Sequence, residues 1–120
     1  MGERPEVADA VVAAIHSGDI AALRQLVVDH PGVASAPLGG RYQSRTPLHA
    51  VTDWPGYFPN GPQIVRVLVD AGADPNAREP EEETPLHWAA STDDWHVAAA
   101  LIDAGAHRDQ AFTSRYPSPA

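Results

Sequence analysis

The sequence TPLHA at residues 46–50 recurs as TPLHWAA at residues 84–90. An Ala-Gly-Ala turn follows each copy, at residues 71–73 and 104–106. The glycines of the two turns are 33 residues apart, and the first threonines of the two motifs are 38 apart. Two different landmarks that repeat in the same order indicate an internal repeat, which predicts a short stack of similar structural units.

Each repeated unit carries the sequence signals of two helices. Its threonine is a typical N-cap, and the proline after it suits the first helical position. Its second segment has apolar residues at helical spacing and ends at Gly72 or Gly105, a residue type that commonly terminates helices. These apolar residues are Val65, Leu68 and Val69 in the earlier unit and Val97, Leu101 and Ile102 in the later one. The pattern predicts helix–turn–helix units and an all-α fold.

The combination of TPLHxA, two helices and AGADPNA resembles the ankyrin repeat over roughly residues 41–107. The resemblance implies an all-α solenoid of about three units, at residues 6–37, 38–77 and 78–107. We expect a flexible N-terminus over residues 1–5 and a loose C-terminal tail over 108–120. The resemblance also implies a module that binds other proteins.

A degenerate first unit lies upstream of the two clear copies. Residues 7–16 and 20–29 have helical apolar patterns, separated by a break at 17–19. Aligning Gly18 with the inter-helix glycine of the family places Asp9 at the position of the capping threonine. The missing TPLH motif is typical of an end repeat, whose outer face contacts water.

Composition excludes several classes of function. The chain has no cysteine, so disulfides and thiolate metal sites are excluded. No apolar stretch is long enough to span a membrane and no signal peptide is evident, so we expect a cytoplasmic protein without a membrane partner. A net charge of −8 disfavours nucleic acid as a ligand. All eight basic residues are arginine, which with the abundant alanine favours a bacterial-type ankyrin protein.

Six histidines raise the question of a metal site or an enzyme. His49 and His87 occupy the histidine of the TPLH motif, where the resemblance implies a hydrogen-bonding brace between units. Local turn capping accounts for His96 with Asp93 and Asp94 as well as a ligand set does. Recognisable zinc, nucleophile and phosphate-binding motifs are lacking, so we expect no enzyme, no catalytic residue, no metal and no cofactor. A small metal-dependent hydrolase would require His49, His87 and His96 to converge.

The earlier unit contains five extra residues between its helices, within residues 54–62. This insertion holds three prolines and the aromatic residues Trp54, Tyr57 and Phe58. Clustered aromatics are typical of protein-binding hot spots, although the rings could instead pack back on neighbouring helices or stack on exposed bases. These alternatives stay open at the level of sequence.

The resemblance places the remaining binding residues on the inner, concave face of the stack. In the middle unit they are Tyr42, Gln43, Arg45, Asp53 and Trp54. In the third unit they are Glu81, Glu83, Ser91 and Thr92, with Trp88 on the adjoining turn. The equivalents in the first unit are His16 and Ser17. Trp88 and Trp54 are one unit apart and would form one aromatic patch. The acidic run at residues 79–83 is either a solvated loop or an element that steers a basic partner.

The outer side of the third unit has no obvious polar cap. Three explanations are open: the chain is part of a longer repeat protein, it forms a homodimer through the uncapped C-terminal repeat, or Phe112 and Tyr116 fold back over the gap. The sequence thus predicts a protein-binding module with an unidentified protein partner. The alternative is a truncated or self-associating fragment without an independent partner.

Overall fold

Six helices form the framework of the part of the chain that the structure describes. The computed structural model describes residues 5–39, 42, 45–53, 56–78 and 83–106. Within these ranges the chain contains no strand, and its helices are α1 (Pro5–Ser17), α2 (Ile20–Asp29), α3 (Pro47–Val51), α4 (Gly61–Asp70), α5 (Pro85–Ser91) and α6 (Trp95–Asp103). Consecutive helices pair, and the pairs stack so that α1, α3 and α5 form one layer and α2, α4 and α6 the other. The predicted all-α solenoid of three helix pairs is confirmed.

The first helices of the second and third pairs begin as the repeated motif predicts. The hydroxyl oxygens of Thr46 and Thr84 accept hydrogen bonds from the backbone N–H groups of His49 and His87, at 3.4 and 3.3 Å. The proline after each threonine occupies the first turn, where a missing N–H leaves no hydrogen bond unmade. Both predicted N-caps are therefore confirmed.

The second helices begin in two different ways. Asp19 caps α2 and Asp94 caps α6, each through a carboxylate that accepts a backbone N–H at 3.0 and 3.3 Å, respectively. The residue before α4 is Asn60, which has a left-handed backbone and makes no side-chain cap. Thus α4 lacks the local stabilisation that α2 and α6 receive.

The prediction that Asp9 caps the first helix is wrong. The helix α1 begins four residues earlier, at Pro5, so Asp9 lies inside it. The side chain of Asp9 instead accepts a hydrogen bond from the Tyr42 hydroxyl at 2.7 Å. The first pair lacks the TPLH motif, so the register of the other two units does not fix where its first helix starts.

The core runs continuously along the stack, between the two layers of helices. Each pair contributes fully buried aliphatic side chains, among them Ile15, Leu23, Leu48, Ile64, Leu68 and Leu101. Of the apolar residues predicted for the second helices, Val65, Leu68, Val97 and Leu101 are buried, Val69 is partly buried and Ile102 is 37% exposed. The sequence therefore identified the core side of α4 and α6 correctly except at Ile102.

The predicted surplus residues lie where the sequence places them. The connection between α3 and α4 runs from Val51 to Gly61, whereas α5 and α6 are separated only by the turn between Ser91 and Trp95. The predicted flexible N-terminus, apart from Pro5, and the predicted loose tail lie outside the described residues.

Candidate functional site

A buried histidine joins the second helix pair to the third. His49 is fully buried, with Nδ1 2.8 Å from the Thr46 hydroxyl oxygen and Nε2 2.8 Å from the Glu83 carbonyl oxygen. A carbonyl only accepts, so Nε2 carries the proton and Nδ1 accepts from Thr46. Burial lowers the pKa of His49 from 6.5 to about 4, and Arg45 acts in the same direction. The ring is therefore neutral at pH 7, and the predicted brace between units is confirmed for His49.

Four partly exposed side chains surround this histidine, and we call them the Arg45 cluster: Arg45, Asp53, Glu83 and Trp88. The Trp88 ring meets His49 edge-on at 4.9 Å between centroids, and its Nε1 donates to Glu83 Oε1 at 3.0 Å. The Arg45 guanidinium carbon lies 5.6 Å from the Trp88 ring centroid, and Nη1 of Arg45 lies 3.9 Å from Asp53 Oδ2. The structure thus brings together four of the predicted binding residues, two from each of two neighbouring units.

This arrangement combines a fixed aromatic ring with adjustable charges. Three neighbours hold Trp88 although it is only half-buried, so a partner that packs on it would lose little side-chain entropy. The Arg45–Asp53 pair is partly exposed, and such pairs contribute at most about 1 kcal/mol. The pair can consequently rearrange around a partner at little cost.

The other predicted concave residues lie apart from the Arg45 cluster or in supporting positions. Tyr42 is half-buried and donates its hydroxyl to Asp9, which links the second pair to the first. Ser91 is exposed at the end of α5, and the hydroxyl of Thr92 donates to the carbonyl oxygens of Trp88 and Ala89. Gln43, Trp54 and Glu81 lie outside the described residues, as does the predicted Trp54–Trp88 patch.

One side of the insertion packs against the first helix pair. The Phe58 ring stacks on His16 at 4.1 Å between centroids and 15° between planes. His16 Nε2 lies 3.1 Å from the Ala50 carbonyl oxygen, while Asn60 donates its side-chain N–H to the Gly18 carbonyl at 3.0 Å. Of the alternatives for the aromatic residues, packing back on the neighbouring helices describes Phe58. Ser17, the other predicted residue of this pair, is exposed.

The other side of the insertion is fixed to the third helix pair through Tyr57. Its backbone N–H donates to Asp94 Oδ2 at 2.7 Å, and its hydroxyl donates to the Asp93 carbonyl. The ring lies edge-on to His96 at 6.4 Å, and Tyr57 is still 57% exposed. The insertion therefore crosses the inter-helix turns and contacts both flanking pairs. Of its aromatic residues that the structure describes, Tyr57 is the exposed one.

Asp94 has a local and a long-range role. The sequence leaves turn capping and a ligand set as equal interpretations of this residue, and in the structure its Oδ1 accepts from the Val97 N–H at the start of α6. Its Oδ2 additionally fixes Tyr57, although the two residues are 37 positions apart. No sequence signal marked Asp94 as the partner of Tyr57 or Asp9 as the partner of Tyr42, because each bond joins residues that are far apart in the chain.

The described residues show neither a metal site nor a membrane span. They contain no group of three or more His, Asp or Glu side chains suited to hold a metal ion, so the convergence that a metal-dependent hydrolase requires is not found there. None of the described helices has the length and apolar character needed to cross a bilayer.

Part of this chain is similar in sequence to known proteins. Residues 59–102 match the family model described as ankyrin repeats (many copies). The chain is 45% identical to protein fem-1 homolog A of Bos taurus and 44% identical to that of Homo sapiens, in each case over 73 residues. Each match covers 53% of this chain but only 11% of the relative. A third relative, protein fem-1 homolog C of Danio rerio, is 40% identical over 47 residues, which is 39% of this chain and 8% of that protein.

The family match covers the end of the insertion, α4, the second TPLH motif and most of α6. It therefore includes His87, whose side chain completes the capping box of α5, and Gly72, which follows the end of α4. The relatives named here are animal proteins, so a bacterial type of repeat is not supported by them. Residues 59–102 match ankyrin repeats, and the six described helices are stacked as an ankyrin-repeat solenoid.

Proposed function

We propose that this chain is a protein–protein interaction module that binds its partner through the concave face, centred on the Arg45 cluster. Ankyrin repeats in general mediate protein–protein interaction, which supports the class of function. The position of this binding surface is inferred from Trp88. Its side chain contacts Glu83, His49 and Arg45 and is still partly exposed. Rigid, partly exposed tryptophans beside arginine are typical of binding hot spots.

The remaining predicted residues extend this surface. Ser91 and Thr92 at the end of α5, and Tyr42 and Gln43 before α3, would form its rim. Glu81 and Trp54 are also proposed to contact the partner, because they occupy concave-face positions of the repeat. Tyr57 contributes an exposed ring from the insertion, while Phe58 supports the insertion from beneath.

We further propose that the protein is not an enzyme and that it acts in the cytoplasm. A net charge of −8 supports a protein partner over a nucleic acid, because phosphate binding requires a basic surface. The arginine-only basic composition still favours a bacterial source.

A matched pair of charge reversals tests the proposed surface. Arg45→Glu alters the Arg45 cluster, whereas Arg66→Glu makes the same change on the exposed side of α4. Both variants are first checked for folding by circular dichroism and then used, with the natural chain, to capture proteins from a lysate of the source organism. We expect a protein that binds the natural chain and Arg66→Glu but not Arg45→Glu.

Two outcomes of this capture experiment would reject the proposal. Equal retention of the same protein by all three chains would place the binding surface away from the Arg45 cluster. If the natural chain captures no protein, recognition of a heterologous partner is rejected.

A second candidate function is self-association through the third helix pair. The observation that favours it is the exposure of Trp95 and Ile102 on α6, at 59% and 37%. A chain that acts in this way needs no heterologous partner.

A further inference from the structure

The three second helices share one row of residues at the same spacing. Residues at positions i, i+4 and i+7 lie on one face of a helix. In α2 this row is Ile20, Arg24 and Val27; in α4 it is Pro62, Arg66 and Val69; and in α6 it is Trp95, Ala99 and Ile102. The rows of α4 and α6 are 33 residues apart, the spacing of the repeat.

In the first two pairs this row faces the next pair of the stack. The row of α2 lines a groove of about 470 Å³ against α4, and all three residues of the α4 row line a groove of about 220 Å³ against α6. By repeat equivalence the row of α6 is the surface that would contact a further helical layer. All three of its residues are exposed.

The composition of the α6 row is that of a contact surface. The arginine in the middle of the other two rows is replaced by Ala99, and the first position holds a tryptophan. The α6 row is thus more apolar than the rows that line the surface grooves between neighbouring pairs. A helix face that contacts only water normally carries polar residues instead.

The row is also complementary to itself when two copies of α6 run antiparallel. Ala99 lies near its centre, and its small side chain permits two helices to approach closely. Trp95 of one copy then meets Ile102 of the second copy, and His96 meets Asp103 of opposite charge when the imidazole is protonated. Antiparallel pairing also places each helix N-terminus beside the C-terminus of the other copy, where the helix dipoles attract.

We propose that α6 is a self-docking surface, on which the α6 of a second copy packs antiparallel about a two-fold axis at Ala99. The inference deepens the second candidate function and does not depend on the Arg45 cluster. An interface of one helix per copy buries less than roughly 1,000 Å², which is typical of weak association with a Kd in the micromolar range or above.

Cross-linking tests the two-fold axis directly, because the natural chain has no cysteine. Ala99→Cys places one thiol beside its own symmetry mate, while the matched variant Ala21→Cys places one on the exposed side of α2. Under mild oxidation we expect Ala99→Cys to form a disulfide-linked dimer at least about tenfold faster than Ala21→Cys, as a prepaired thiol should. Equal rates for the two variants would overturn the proposed axis.

Sedimentation equilibrium supplies the second measurement, on chains without cysteine. Between about 10 µM and about 1 mM, the range suited to a small interface, we expect the natural chain to dimerise. Trp95→Lys and Ile102→Lys should weaken dimerisation at least about tenfold. Val28→Lys, at an apolar residue of α2 that is 69% exposed, should leave it unchanged.

Two results would overturn self-docking while leaving the concave-face proposal intact. A natural chain that stays monomeric over the whole range has no such surface, and a dimer lost in Val28→Lys but kept in Trp95→Lys uses another one. Conversely, dimerisation as expected together with failed capture by the natural chain would reject the heterologous partner alone.

Discussion

His49 shows how a single residue can support a repeat array only while it is uncharged. Its Nδ1 accepts from Thr46 and its Nε2 donates to the Glu83 carbonyl, so protonation at Nδ1 removes one of these bonds. Burial and the charge of Arg45 lower the pKa of His49, and Glu83 and Asp53 only partly oppose them. The contact between the second and third pairs is therefore sensitive to pH.

We expect stability to fall as the pH drops from 6.5 towards 4 because of His49. The unfolded state binds a proton near pH 6.5 and the folded state only near pH 4, so acidification within this window favours unfolding. The full effect is on the order of 3 kcal/mol. The free energy of unfolding in urea at pH 7 and pH 4.5 measures it.

His49→Gln isolates this contribution from other titrating groups. Glutamine keeps a polar side chain but does not titrate, so we expect lower stability at pH 7, by roughly 1–3 kcal/mol, and a flatter pH dependence. His96→Gln, at an exposed histidine, serves as the control. If His49→Gln keeps the pH dependence of the natural chain, His49 is not its source.

At the scale of elements, the insertion replaces local stabilisation with contacts to both neighbours. Its side chains and backbone contact His16 and Gly18 in the first pair and Asp93 and Asp94 in the third. Gly18 permits the close approach, since a Cβ there would lie 2.5 Å from the Pro59 carbonyl oxygen. The two flanking pairs are therefore held by one short segment.

Gly18→Ala should destabilise the protein more than Gly32→Ala does. Both glycines have positive φ, at 71° and 91°, so alanine is strained at either position by about 1–2 kcal/mol. Only at Gly18 does the new methyl group meet Pro59, because nothing lies within 4 Å of a Cβ at Gly32. The extra cost should be about 1–3 kcal/mol in urea unfolding. Equal destabilisation by the two substitutions would mean that the insertion does not pack on Gly18.

Sequence predicts the elements of this protein better than the contacts between them. The caps at Thr46 and Thr84 and the ends at Gly72 and Gly105 depend on a few adjacent residues, so local patterns identify them. The Tyr42–Asp9 and Tyr57–Asp94 bonds join residues 33 and 37 positions apart, and no local pattern marks them. Likewise the TPLH motif predicted the His49 brace, but only the folded chain shows Trp88 held by Glu83 and Arg45.

At the scale of the whole molecule, the insertion adds contacts between helix pairs that the stacked helices alone do not make. In an ideal repeat array each unit interacts with its neighbours through one interface, and segments can open separately. Here the insertion adds contacts from the middle pair to both neighbours at once. The three pairs should consequently unfold with more cooperativity than their helices alone would provide.

Hydrogen exchange can separate the two sides of the insertion. Phe58→Ala combined with Asn60→Ala removes contacts to the first pair, and Tyr57→Phe removes the hydroxyl bond to Asp93. We expect amide protection to fall at least about fivefold in α1 for the double variant and in the α5–α6 turn for Tyr57→Phe, as loss of about 1 kcal/mol implies. A uniform fall along the chain in both variants would contradict independent contacts.

The uncapped start of α4 has a consequence for the order in which the chain assembles. Asn60 uses its side chain on Gly18 and not on the first turn of its own helix, so α4 gains its N-terminal support only after the first pair has formed. On the ribosome the first pair is synthesised earlier, and its turn is available when residue 60 emerges. We therefore expect α4 to contribute little to the folding nucleus and to join late, guided by structure already made.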